Sequence, residues 1–393
     1  MNILVIPTND WTRAAGAGHI NYIAEELAQR GHKVYAWNFD LYRNQPPKRE
    51  PKNVKLVSSK ALPLRDPAVF FTLNALVQSP AVFAAIRRLR IDVVINENVL
   101  CGLVAFLAAG RTTLKVFDFS DYFPESASVY YTGSSDVAKK LVEGVTLAVT
   151  KLNIKASDMC LAVCQSLIQA AAKIDRAKPC YLLTNGVNTN IPQDDSPQNA
   201  PEDKTLVVMG VIDDWLDFET PLQALSILAD KFPTLNLVII GPWQKQTFRD
   251  QFEARVQALN LASKVKVTGY ISAQQLKRQL QEACCCIMPY RLDRFFSVIR
   301  LPEKFFVYSA YGKPVLSTPL PEVAALGCEH VFLYRNATEF VTKLTNILSQ
   351  KTMRATLEAK AREFAKDHDF SVLAAQLEGL LVGGLAELRV TSS

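Results

Sequence analysis

The chain alternates short apolar runs with helix-length amphipathic stretches, and it does so twice. In the first series Asn2–Ile6, Lys33–Trp37, Asp92–Ile95, Leu114–Phe117, Asp158–Val163 and Tyr181–Leu183 read as strands, most of them near-continuous in Val, Ile and Leu. Between the first two, His19–Arg30 carries Ile20, Ile23 and Leu27 on one helical face and stops at Gly31. A polar run with prolines, residues 191–204 (IPQDDSPQNAPEDK), then breaks the pattern and reads as a linker. The series restarts with strands at Leu206–Met209, Leu237–Ile240, Val265–Val267, Cys284–Met288 and Val315–Ser317, with Leu222–Phe232 and Gln274–Glu282 among the helices. Strand–helix alternation specifies parallel sheets with crossover helices, and 393 residues exceed what one core serves. The expected fold class is therefore α/β, with two doubly wound Rossmann-like domains facing a cleft. The domains are residues 1–190 and 205–369, with residues 370–393 as a terminal helix and tail. Phe370–Leu388 is amphipathic through Leu373, Leu377, Leu380 and Leu381.

Charge narrows the partners. Residues 1–190 hold 22 basic and 15 acidic side chains, against 22 and 23 in the rest, so the basic excess lies wholly in the first half. That suits an anionic acceptor or an anionic membrane surface. Nucleic acid is not expected, because no aromatic-interleaved basic run or zinc spacing is present. The eight cysteines show no paired metal-ligand spacing, and Cys160 and Cys164 read as buried small hydrophobes. A reduced, cytoplasmic setting with peripheral membrane contact is the expectation. MNILVIP enters a strand without a basic leader region, so it is not read as a signal peptide. The apolar run Val99–Gly110 is too short to span a bilayer. Pro67–Arg90 is apolar and ends in Arg87, Arg88 and Arg90, which fits either core helices with a basic end or an interfacial patch.

Residues 301–323 (LPEKFFVYSAYGKPVLSTPLPEV) carry the densest signal. Pro302 suits a first helical position, Lys304 lies near the helix start, and Gly312-Lys313-Pro314 stops the helix before strand Val315–Ser317. A helix N-terminus plus a lysine suits a diphosphate; a solvated surface lysine is the alternative. The order of residues resembles the donor signature of GT-B glycosyltransferases, of the group 1, family-4-like type. Leu301, Pro302, Lys304, Tyr308, Ala310, Gly312, Lys313, Pro314, Val315, Thr318, Pro321, Glu322 and Val323 stand at matching places. The resemblance departs at Val307 and Ile299, where the family usually has glutamates. Glu303, one turn before Val307, shares its face and is the candidate substitute.

Other elements extend the resemblance. Gly16-Ala17-Gly18-His19 lies between the first strand and helix, and the helix ends in Arg30-Gly31-His32-Val34. Gly16, Gly18 and His19 are candidates for an acceptor or phosphate loop, with helix capping the other reading of His19. Asn185-Gly186-Val187-Asn188 matches the family's element at the end of the first domain. Asp118, Asp121 and Glu97 follow predicted strands, where a carboxylate base for a sugar acceptor belongs; capping is the competing role for the aspartates. The resemblance implies a donor site in the second domain. Its candidates are Lys304, Arg291, Arg294, Glu303, Ser297, Gly210, Tyr270 and Glu322, with the arginines as a diphosphate clamp and Tyr270 beside the base.

The implied activity is transfer of a sugar from a nucleotide-diphosphate sugar to a hydroxyl of a glycan, a lipid-linked carrier or a small molecule. That places it in polysaccharide or glycolipid biosynthesis. No cofactor or metal is expected; the nucleotide sugar is a co-substrate. Two alternatives share the architecture: a non-catalytic partner subunit, suggested by Val307 and Ile299, and a nucleotide-sugar epimerase.

Overall fold

The computed structural model describes all residues except 9–10, 13–17, 40–48, 65–66, 98–99, 126–135, 192–203, 294–298 and 393. It forms two compact units, Met1–Thr184 with Phe370–Ser393, and Asn185–Asp369. Most of the 191–204 run lies outside the described residues.

The first unit runs β1 (Asn2–Ile6), α1 (His19–Gln29), β2 (Lys33–Asn38), β3 (Lys55–Ser58), α2 (Pro67–Arg88), β4 (Val93–Asn96), α3 (Leu100–Ala108), β5 (Leu114–Phe119), α4 (Asp136–Ala156), β6 (Met159–Ala162), α5 (Gln165–Ile174) and β7 (Cys180–Leu182). Its sheet is parallel, in the order β3-β2-β1-β4-β5-β6-β7. The order reverses between β1 and β4, and this switch point is where doubly wound sheets open a ligand crevice. Strand β3 was not legible because it is an edge strand with little burial and no apolar run. Strand β5 runs two residues beyond its expected end, so Asp118 lies within the strand and not after it.

The second unit runs β8 (Thr205–Met209), α6 (Glu219–Leu228), β9 (Asn236–Ile240), α7 (Gln246–Ala258), β10 (Val265–Gly269), α8 (Ala273–Glu282), β11 (Ala283–Met288), α9 (Glu303–Ala310), β12 (Val315–Ser317), α10 (Pro321–Ala325), β13 (Val331–Leu333), α11 (Ala337–Ser349) and α12 (Lys351–Asp367). Its parallel sheet has the order β10-β9-β8-β11-β12-β13, with the switch point between β8 and β11. Fully buried β11 holds Cys284, Cys285 and Cys286 as free thiols inside the sheet. Helix α9 starts one residue later than expected: Pro302 has extended ψ (132°) and is its N-cap. It ends at Gly312 (φ +69°), where the Gly312 amide donates to the Ser309 carbonyl and the Lys313 amide to that of Tyr308. This double closure is the physical content of the Gly-Lys-Pro stop.

The last helix, α13 (Phe370–Ser392), belongs to the first unit. Phe370–Val390 is long and apolar enough to cross a bilayer, with a mean hydropathy of 1.3. Its Leu373, Leu377, Leu381 and Leu385, however, are buried in the unit's core beside Ile23, Leu27 and Leu114. Glu378 fixes the helix to the turn after α1, accepting from Arg30 Nε at 2.7 Å and lying 2.7 Å from His32 Nε2. The Arg30-Gly31-His32 element thus anchors the returning helix.

Beneath α9, His330 lies parallel to Phe305 (5.6 Å between centroids, 3° between planes) and beside Phe364. The Ser309 hydroxyl donates to the Phe305 carbonyl, so His330 Nε2, 2.9 Å away, is the donor to Ser309. Burial holds the His330 pKa down to about 4 from 6.5. The unfolded chain therefore binds this proton first as pH falls. Stability from the neutral imidazole is complete above pH 6.5 and drops between 6.5 and 4, by about 3 kcal/mol in all. Denaturant titrations at pH 7 and pH 4.5 are expected to show a smaller acid loss in His330→Phe than in the wild type; equal losses would remove His330 as the cause.

Candidate active site

In the first unit, three sequence candidates sit at the carboxyl ends of β1, β4 and β5. Glu97, directly after β4, is buried and fully engaged. Its Oε2 accepts from the Thr8 amide (2.8 Å) and the Thr8 hydroxyl (2.7 Å), and its Oε1 from the Ser120 hydroxyl (2.8 Å). It ties three strand ends together. Burial, and then the charge of Asp118, raise its pKa, opposed by the Thr8 hydrogen bonds and by His19.

Asp118 is completely buried, and Oδ1 lies 3.3 Å from His19 Nε2. Neither of its carboxylate oxygens has a hydrogen bond among the described residues. A buried, under-satisfied carboxylate against an imidazole is costly to keep and characteristic of functional sites. His19 opens α1 but does not cap it: the N-cap is Gly18, whose amide donates to Asn21 Oδ1 at 3.1 Å. The helix N-terminus adds partial positive charge beside Asp118. Asp121 is different. It is half-buried, its Oδ1 accepts from the Tyr122 amide at 2.9 Å, and its carbonyl accepts from the Phe123 amide at 3.0 Å, a turn-capping role. Gly16 lies outside the described residues.

In the second unit, Lys304 stands at the switch point. Its Nζ is 5.1 Å from the centroid of the Tyr290 ring, beyond the end of β11. A Cβ on Gly210, at the end of β8, would lie 2.9 Å from that ammonium. Gly210 adopts φ +120°, so a glycine lets the β8 end turn and leaves the space Lys304 fills. Lys304 has no carboxylate partner among the described residues. Tyr308, one turn on, accepts from the Met209 amide at 2.9 Å and locks α9 to β8. Asn185 donates to the Leu301 carbonyl at 2.8 Å and holds the approach to the helix.

The remaining donor candidates divide. Arg291 is neutralised locally: its guanidinium meets Asp293 at 3.1 and 2.6 Å, and its amide donates to the Trp215 carbonyl. A depression beside it is lined by Tyr290, Thr318, Tyr334 and Arg335. Arg294 and Ser297 lie outside the described residues. Glu303 is exposed at the start of α9, one turn before half-buried Val307; Ile299 is half-buried. Glu322 is buried in the first turn of α10, beyond β12. Tyr270 is exposed, after edge strand β10. The loop after β8, acidic in sequence, acquires a cation that sequence reading missed. Lys245 Nζ lies 3.4 Å from buried Asp213 and 3.0 Å from Asp214. No local spacing signals that pairing, since Lys245 arrives from the β9–α7 connection. Among the described residues no three His, Cys, Asp or Glu side chains form a metal-holding group.

Two parallel doubly wound units with a last helix returning to the first define the GT-B fold. Residues 190–364, most of the second unit, match the family model of the glycosyl transferases group 1. Three solved structures share the fold over 98% of this chain. They are sucrose-phosphate synthase from Thermosynechococcus elongatus (TM-score 0.74, 18% identity, 100% of that chain), HepE of Anabaena in complex with UDP (0.68, 14%, 100%) and WaaG, a glycosyltransferase involved in lipopolysaccharide biosynthesis (0.63, 15%, 100%). No curated protein matches the sequence.

Proposed function

We propose that the protein moves a sugar from a nucleotide-diphosphate sugar to a hydroxyl of a glycan, a lipid-linked carrier or a small molecule, without a metal in the chemical step. Lys304 carries this reading. Within the stretch that matches the group 1 transferases, an ammonium with no carboxylate partner among the described residues stands where doubly wound sheets bind ligands. The N-terminus of α9 adds positive potential for the leaving diphosphate. HepE has been solved with UDP and with UDP-glucose, which makes uridine-diphosphate sugars the first donors to try. In the proposed step the acceptor oxygen attacks the anomeric carbon and the bond to the diphosphate oxygen breaks. The acceptor proton passes to the Asp118–His19 pair. A cytoplasmic location against an anionic membrane belongs to the same proposal, supported by the basic excess of residues 1–190 and eight free thiols.

A nucleotide-sugar panel read by calorimetry tests the donor site. Lys304→Ala is expected to weaken donor affinity about 10- to 100-fold, as loss of a charge-assisted contact implies. Unchanged affinity in the folded variant would take Lys304 out of the site. Product analysis decides among the three readings. Sugar on the acceptor, undiminished by chelator, supports metal-free transfer. An inverted sugar on the nucleotide, formed from donor alone, supports the epimerase. Absence of nucleotide binding with tight capture of another subunit supports the non-catalytic partner.

A further inference from the structure

Two helices of the first unit carry apolar stripes on their outward sides, and on α4 the inward side is largely polar. On α4 the buried positions are Thr150, Asn153 and Ile154, and Asn153 accepts a hydrogen bond from Asn96 at 2.7 Å. Its outward face presents Val137 (78% exposed), Leu141 (67%), Val145 (48%) and Leu152 (50%). At 100° per residue these four fall within one narrow stripe. Lys140, Lys151 and Lys155 are exposed along its flank, and the one exposed acidic residue of the helix is Asp136 at its first position.

Helix α2 also carries an outward apolar stripe, although its inward side is mostly apolar too, through Phe70, Ala75, Val82, Ala85 and Ile86. Asn74 and Gln78 are buried, while Leu73, Leu76 (65% exposed), Val77 and Phe83 face outward. That stripe ends in exposed Arg87 and Arg88, with the Arg87 guanidinium 4.6 Å from the Phe83 ring centroid. No acidic residue occurs in Pro67–Arg88. Helix α3 packs on both α2 and α4 and contributes Leu107 (75% exposed). The stripes therefore lie on one helical layer, opposite the layer formed by α1 and α13.

Soluble surfaces rarely gather this much exposed aliphatic area. We propose that the outward faces of α2, α3 and α4 form a docking surface for an anionic lipid bilayer. The aliphatic stripes enter the headgroup–acyl boundary, while the lysine and arginine stems extend along it and their charges meet anionic headgroups. The exposed basic side chains around the stripes (Arg87, Arg88, Lys140, Lys151 and Lys155) outnumber the one exposed acid, Asp136, and that excess favours an anionic bilayer as the occupant. The inference deepens the proposed membrane-apposed location by assigning it residues.

Vesicle flotation without substrate tests it. The full chain is expected to float with phosphatidylcholine vesicles containing phosphatidylglycerol, less so as salt rises, and not with phosphatidylcholine alone. Leu76→Asp with Leu141→Asp, and separately Lys140→Glu with Lys151→Glu and Lys155→Glu, are each expected to lower the partition coefficient about 100-fold. These positions are exposed, so thermal melting should not change. Wild-type partitioning in both variants, or salt-insensitive binding to neutral vesicles, would overturn the proposal. So would a lipid-indifferent dimer that Leu141→Asp converts to monomer, since a second copy would then cover the face. Nucleotide-sugar binding measured in the same variants without lipid is expected to be unaffected. Its absence in the wild type would count against the transfer reading and not against the docking face.

Discussion

Asp118→Asn is expected to lower turnover about 10²- to 10⁴-fold with donor affinity intact, the range for loss of a positioned proton acceptor. The same substitution should leave the melting temperature unchanged or raised. The native carboxylate is fully buried, its oxygens lack hydrogen bonds among the described residues, and His19 at 3.3 Å is its charge partner there. An amide removes a charge that burial penalises, so activity and stability should move in opposite directions. His19→Gln should lose a similar factor, and the double variant little more, because the two side chains act as one unit. Asp121→Ala should keep the rate and lose about 1 kcal/mol, since it removes the oxygen that accepts from the Tyr122 amide. Full rates in both Asp118→Asn and His19→Gln would remove the pair from the chemistry. Glu97→Gln separates from either: placing an amide nitrogen against donors from Thr8 or Ser120 should destabilise the unit by about 1–3 kcal/mol.

Gly241→Ala is expected to destabilise the second unit by roughly 4 kcal/mol or more, among the largest effects a single methyl can have. Gly241 adopts φ +140°, and its added Cβ would stand 1.9 Å from the Gly210 carbonyl oxygen and 2.8 Å from the carbonyl carbon. Those atoms cannot step aside easily. The Gly210 amide is bonded to the Ile240 carbonyl (2.9 Å), and the Gly241 amide to that of Gly269 (3.0 Å). Gly210→Ala makes the contrast. Its Cβ would meet Lys304 Nζ at 2.9 Å, the end of a flexible side chain. That variant should carry the backbone strain of φ +120°, about 1–3 kcal/mol, and also lose donor affinity as Lys304 is displaced. A wild-type melting curve for Gly241→Ala would show that the turn relaxes and would discard this account.

The parallel α/β architecture was legible in the sequence because its signals are local. Near-continuous Val and Ile runs specify buried strands, and the Ile20–Ile23–Leu27 spacing and the Gly312–Pro314 stop are written within a few residues. The placement of Lys304 in the first turn of α9 was legible for the same reason, lying in an ordered local signature. Strand order decided the rest. Bringing the ends of β1, β4 and β5 together pairs His19 with Asp118 and makes Glu97 a clamp, relations between residues far apart in the chain that no spacing encodes. The pleat then separates the two aspartates: Asp118 falls within β5 and is buried, while Asp121 lies past the strand end and caps a turn. Charge compensation follows the same logic, since Lys245 reaches Asp213 only once the loops are placed. Periodicity along α4 marks two faces of unequal polarity. Only packing against α3 and α5 decides that the aliphatic face of that helix points away from the core.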